Sequence, residues 1–206
     1  MLAKPLAGPR LFLILAAAVL LMALLMIAAE GGGTDGIRLA IRATARTSLA
    51  LFLIAFSASA VQRLFPGSLG EWLLQNRRWT GLAFAFSHLV HAVLLKALLT
   101  IDPGLFWSLT NPRSVVTGAI AYGFIALMAA TSLDGAVRWL GARTWKWLHS
   151  AGLWVIWVSF VFTNAKRIAV SPWYLVPVLL LVFALLLRIL SRRLQRRLSP
   201  RSQPAG

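Results

Sequence analysis

The chain has 206 residues, 59% of them hydrophobic and only 13% charged, with no cysteine and a mean hydropathy of +0.78. Soluble domains carry about 25% charged residues, so this composition excludes an ordinary soluble fold, and the missing cysteine excludes disulfides, thiolate haem ligation and cysteine-held iron–sulfur clusters. The net charge of +16 sits mostly between and after apolar runs. It reads as topogenic charge facing anionic lipid and not as a nucleic-acid surface.

The apolar runs are continuous, unlike the alternating segments of about ten residues in a membrane barrel. They predict an all-α integral membrane protein, a six-transmembrane-helix bundle. Residues 1–10 form a short basic N-terminus with Lys4 and Arg10, 11–190 the bundle, and 191–206 a basic tail. Leu11 to Ala29 is too long for the apolar core of a signal peptide, about 7–15 residues, and reads as a retained first span. The segment 30–36 is a glycine-rich turn that does not match a dinucleotide-binding G-x-G-x-x-G.

Arg38, Arg42 and Arg46 recur at i, i+4, i+8, one helical stripe. The sequence places 37–46 along the membrane interface, ahead of a second span over 47–61. A loop with an amphipathic piece fills 63–78, and the third span covers 79–101. Asp102-Pro103-Gly104 and Asn111-Pro112 mark a loop. The fourth span, 114–132, carries Gly118 and Gly123, small residues that permit close helix approach. A basic loop over 134–146, a fifth span over 147–163 and a sixth over 173–190 complete the chain.

Six spans put both termini on one side. With that side cytoplasmic, Lys4, Arg10, Arg63, Arg77, Arg78, Arg138, Arg143, Lys146 and the C-terminal arginines lie inside, against Arg38, Arg42, Arg46, Arg113, Lys166 and Arg167 outside. The bias favours cytoplasmic termini, and the Arg38/42/46 stripe is its one misfit. The five acids, Glu30, Asp35, Glu71, Asp102 and Asp134, all fall at span edges or in loops. No carboxylate stands mid-membrane for a proton relay, which argues against an ion-coupled transporter.

His88 and His91 lie mid-span and His149 near the start of the fifth span; the chain has no other histidine. Ionisable groups at that depth are functional candidates, and histidine is a common haem ligand. Two neutral imidazoles from facing helices make a six-coordinate b-type haem suited to one-electron transfer. Three histidines allow only one such haem. Interhelical hydrogen bonding is the plain alternative for each, and a zinc site lacks a spacing such as H-E-x-x-H. Trp154 and Trp157 pack on a porphyrin face or belong to the interfacial aromatic belt. At a rise of about 1.5 Å per residue, His149 lies ~3 Å into its span, His88 ~14 Å and His91 ~18 Å.

Arg77-Arg78-Trp79-Thr80-Gly81-Leu82 leading to His91, then Thr131-Ser132, Leu140-Gly141 and Trp145-Lys146-Trp147-Leu148-His149, resemble the ferric reductase-like transmembrane domain. The likeness runs over roughly residues 45–190 and is strongest to the haem-binding membrane subunits of periplasmic methionine sulfoxide reductase systems. The resemblance implies a six-helix b-type cytochrome of the bacterial inner membrane with one haem b per chain. It implies His91 and His149 as axial iron ligands, with His88 a further candidate. The implied electron donor is a cytoplasmic flavin reductase, FMN or quinol, and the implied acceptor a periplasmic molybdopterin-type reductase. The family's further histidine, thirteen residues after the W-K-x-L-H histidine, is Phe162 here, which cannot ligate iron.

The chain has no nicotinamide or soluble flavin domain, so the resemblance implies an electron-transfer subunit that works with partners. Arg77, Arg78, Arg138, Arg143 and Lys146 are candidates for steering an acidic reductase, or simple topogenic charge. The competing reading is a haem-free membrane scaffold with the same fold.

Overall fold

The computed structural model describes residues 6–132 and 135–198; Lys4, Asp134 and the chain beyond Leu198 lie outside them. Among the described residues the fold is nine α-helices: α1 (Pro9–Ala29), α2 (Thr34–Leu64), α3 (Ser68–Gln75), α4 (Arg77–Ile101), α5 (Pro103–Leu109), α6 (Pro112–Ala130), α7 (Ala136–Leu140), α8 (Ala142–Ala165) and α9 (Leu175–Leu198). A 3-10 turn, Pro172–Tyr174, leads into α9. α1, α2, α4, α6, α8 and the last helix with its turn are long and apolar enough to cross a membrane. This is an all-α, multi-pass membrane bundle.

α2 is the hub, packing against α1, α3, α4 and α9, while α6 joins the bundle mainly through α8. The main core gathers Phe52 and Phe56 of α2, Phe84 of α4, Ile125 of α6, Ile156 of α8 and Leu181 of α9. Gly8 N donates to Asn76 Oδ1 at 2.8 Å, and Arg188 of α9 donates to Phe56 O at 3.2 Å. The start of α1, the start of α4 and the ends of α2 and α9 therefore share one end of the bundle, called basal below; the other end is distal.

Several boundaries differ from the sequence reading for identifiable reasons. The interfacial helix expected over 37–46 does not stand apart, because no proline or glycine occurs between Ile37 and Leu64 to break it. The helix instead runs 31 residues, placing Arg42 and Arg46 exposed on a membrane-spanning segment. Asp102-Pro103 and Asn111-Pro112 are helix starts as well as loop signals. Asp102 accepts from Leu105 N and Asn111 from Ser114 N, each followed by proline in the first turn, where its missing N–H costs nothing. α5 thus fills a segment expected to be loop. The fifth helix begins at Ala142, earlier than expected, and the sixth continues to Leu198, through half of the expected tail.

Gly118 and Gly123 do not mediate close approach: a Cβ at either would meet nothing within 4 Å. Gly36 and Gly152 do. A Cβ on Gly36 would stand 2.7 Å from Ile27 O and 2.9 Å from its Cα, so the absence of a side chain lets α2 fold back tightly on α1. A Cβ on Gly152 would run into Met128 of α6.

Candidate haem site

The α2–α4 seam is polar where the helices meet. Ser48 Oγ donates to Ser87 Oγ at 2.9 Å, both fully buried. One turn further toward the distal end, His91 places Nδ1 3.1 Å from Ile41 O and 3.1 Å from Thr44 Oγ. The Thr44 hydroxyl is directed back to Ala40 O at 2.8 Å, so its oxygen is left to accept. Both neighbours of Nδ1 are therefore acceptors. This network puts the ring proton on Nδ1 and leaves the lone pair on Nε2, the arrangement that metal-ligating histidines adopt.

His88 sits beside it, ring centroids 5.7 Å apart. Its Nδ1 is buried and has no hydrogen-bond partner among the described residues; the same holds for the Tyr122 hydroxyl. Tyr122 of α6 packs 5.2 Å from the His88 ring, and Phe84 and Phe160 close around it at 5.1 and 5.6 Å. Burying a polar nitrogen without a partner costs free energy. An iron lone-pair acceptor or a ligand hydrogen bond at this level would relieve it, so the residues present fit a haem here.

His149 belongs to a different level. Its Nε2 lies 3.0 Å from Thr131 Oγ at the end of α6, its ring stacks on Trp145 at 4.2 Å, and Trp145 Nε1 donates to Thr131 O at 2.9 Å. The Thr131 hydroxyl donates back to Leu127 O at 2.7 Å, so its oxygen accepts from Nε2. These contacts explain why threonine, tryptophan and histidine occur together: they tie the end of α6 to the first turns of α8.

The two levels are far apart along the helices. His88 meets α6 at Tyr122 and His149 meets it at Thr131, nine residues lower, which is ~14 Å at the α-helical rise. On α8, His88 meets Phe160, eleven residues from His149, or ~16 Å. Two imidazoles on one iron must approach within about one porphyrin thickness. The structure therefore brings His88 and His91 together and does not bring His149 to them. With α8 beginning at Ala142, His149 is also ~10 Å into its helix, deeper than the sequence spans suggested.

Phe162 is exposed, with Lys166 Nζ 5.9 Å over its ring; Phe160 is the α8 residue that faces the histidines. Trp157 donates to Leu181 O at 3.1 Å and packs edge-on to Trp154, fastening α8 to α9. Arg77, expected among the steering charges, donates to Ala55 O and Ser59 Oγ and clamps α4 to α2. Thr44, Ile41, Tyr122 and Phe160 escaped sequence reasoning, since nothing in a run of apolar residues marks which of them faces a histidine.

The family described as ferric reductase like transmembrane component matches residues 40–160, a segment that holds both histidine levels. The chain belongs to that family. As a member of the ferric reductase-like family it is similar to the protein-methionine-sulfoxide reductase heme-binding subunit MsrQ of Ralstonia nicotianae, 31% identical over 127 residues, 57% of this chain and 54% of that protein. The chain thus matches about half the length of that curated relative. No solved structure matches. That relative is described as the heme-binding subunit of its reductase.

Proposed function

We propose that the chain is a b-type haem subunit of the bacterial inner membrane. In this reading it carries electrons from a cytoplasmic flavin reductase, FMN or a quinol to a periplasmic molybdopterin-type reductase of the methionine sulfoxide class. The observation that carries the proposal is the Nδ1 of His91 held between Ile41 O and Thr44 Oγ, which leaves Nε2 as a ligand. His91 would hold the iron, with His88 next to it on the same helix face, and His149 is the ligand candidate at the basal level. Bound haem supplies reversible one-electron storage.

The chain's own residues do the rest. Ile41 O fixes the tautomer and ring orientation of His91. Phe84, Phe160 and Phe52 surround the His88 level with apolar rings and exclude water. Arg42 and Arg46 are exposed cations on the spanning segment of α2. Cytoplasmic placement of the basal end is supported by Arg63, Arg77, Arg78, Arg138, Arg143, Lys146 and the α9 arginines, all at that end; they would also face anionic lipid.

The test is to mix haem-loaded protein with reduced FMN or a quinol analogue and follow the shift of the Soret band on reduction. Rapid reduction by one of them, followed by reoxidation by a methionine sulfoxide reductase partner, is the expected result. A bound haem that neither donor reduces would remove the electron-transfer role. A second reading, a haem-free scaffold, draws on Phe160 packed against His88 and on Phe162 at the family's further histidine position.

A further inference from the structure

A basic surface cleft lies at the basal end, away from His88 and His91. The ends of α2 and α9 border an open, shallow cleft of about 410 Å³ lined by Arg63, Arg192, Gln195 and Arg196. Arg77 and Arg188 stand at the same end of the bundle. These two are already engaged: Arg77 on Ala55 O and Ser59 Oγ, Arg188 on Phe56 O and over the Phe56 ring at 4.6 Å. Arg63, Arg192 and Arg196 have no hydrogen bond or ion pair with any described residue. The single ion pair among the described residues, Arg38–Asp35, is at the distal end.

Topogenic charge and favourable interaction with helix C-termini explain why arginines occur here. Neither explains why three of them converge on one cleft, where each raises the electrostatic cost of the others. Converging guanidiniums with free N–H forks and no carboxylate match one chemistry, a phosphate group held by bidentate charge-assisted hydrogen bonds. The volume suits a small ligand or headgroup.

We propose that this basal cleft is a binding site for a phosphate ester, gripped by Arg63, Arg192 and Arg196 with Gln195 as a neutral donor. The same chemistry is carried by an anionic phospholipid headgroup and by a soluble phosphate compound, and the site does not depend on the haem reading.

The experiment uses the full-length protein purified in a neutral detergent. One arm adds phosphatidylglycerol or, as control, phosphatidylcholine, and counts bound lipids by native mass spectrometry. The other adds inorganic pyrophosphate and reads the thermal midpoint. The R63Q/R192Q/R196Q variant is compared with R138Q/R143Q/K146Q, which removes equal charge elsewhere at the basal end. Loss of affinity by about tenfold or more in the first variant alone is expected, and the arm that responds identifies the source as lipid or soluble phosphate. Equal loss in both variants, or no binding in either arm, would overturn the site. Should the first variant fail to fold, phenylglyoxal labelling of the wild type decides. Protection of Arg63, Arg192 and Arg196 by either probe supports the cleft, and unchanged labelling rejects it.

Discussion

His91 Nδ1 stands 3.1 Å from the carbonyl oxygen of Ile41, a contact that joins the two most intimately packed spans and sets which nitrogen of the ring is free. A backbone carbonyl cannot be lost by substitution, so the tautomer is written into the α2 backbone. Replacing Thr44 by valine keeps shape and removes the second acceptor together with the hydroxyl's bonds to Ala40 O and Ile41 O. The expected cost is about 1 kcal/mol of stability with haem binding retained. A complete loss of haem in T44V would mean that Ile41 O does not orient the ring.

The gap of ~14 Å between the two histidine levels bears on iron coordination. His88 and His91 approach from one helix and His149 meets Thr131 below them. A haem held by His91 would find no histidine from a facing helix at its level among the described residues. The ferrous protein is therefore expected to bind carbon monoxide, seen as a shift of the Soret band. A low-spin spectrum indifferent to carbon monoxide would contradict this and require a second ligand brought to the same level.

At the basal level, Trp145→Phe preserves the ring stack on His149 and removes the donor to Thr131 O. The α6–α8 junction should lose roughly 1–3 kcal/mol, lowering the thermal midpoint, while haem bound at His91 stays. Loss of haem in W145F with an unchanged midpoint would show that this junction is part of the cofactor site.

Two alanine substitutions separate close approach from open space. Gly36→Ala drives a Cβ into the Ile27 backbone and should destabilise the α1–α2 turn by about 1–3 kcal/mol. Gly118→Ala meets nothing and should be neutral or stabilise α6 by up to ~1 kcal/mol. Thermal unfolding in detergent reads both; a reversed order would mean that α6 packs more tightly than the structure shows.

The six spans were legible because long apolar runs broken by Arg- and Pro-containing segments carry the bundle's architecture directly. What was not legible followed from local continuity and from facing. The stripe Arg38/42/46 looked interfacial by charge, yet an unbroken helix former sequence kept it in α2. Gly118 and Gly123 looked like contacts by composition, whereas contact depends on which face meets a neighbour, and Gly36 and Gly152 had that face. The three histidines stood out by residue type alone. Their separation into two levels did not, because depth on α8 depends on where that helix starts and on its register against α6.

The most direct measurement is the absorption spectrum of the purified, detergent-solubilised protein, oxidised and dithionite-reduced, for the wild type and H91A. A Soret band that shifts on reduction, at about one haem per chain, lost in H91A and retained in H149A, is the expected result. A wild type that stays colourless after haem is supplied, or an H91A protein that keeps the full spectrum, would contradict the assignment of this membrane site to haem on His91.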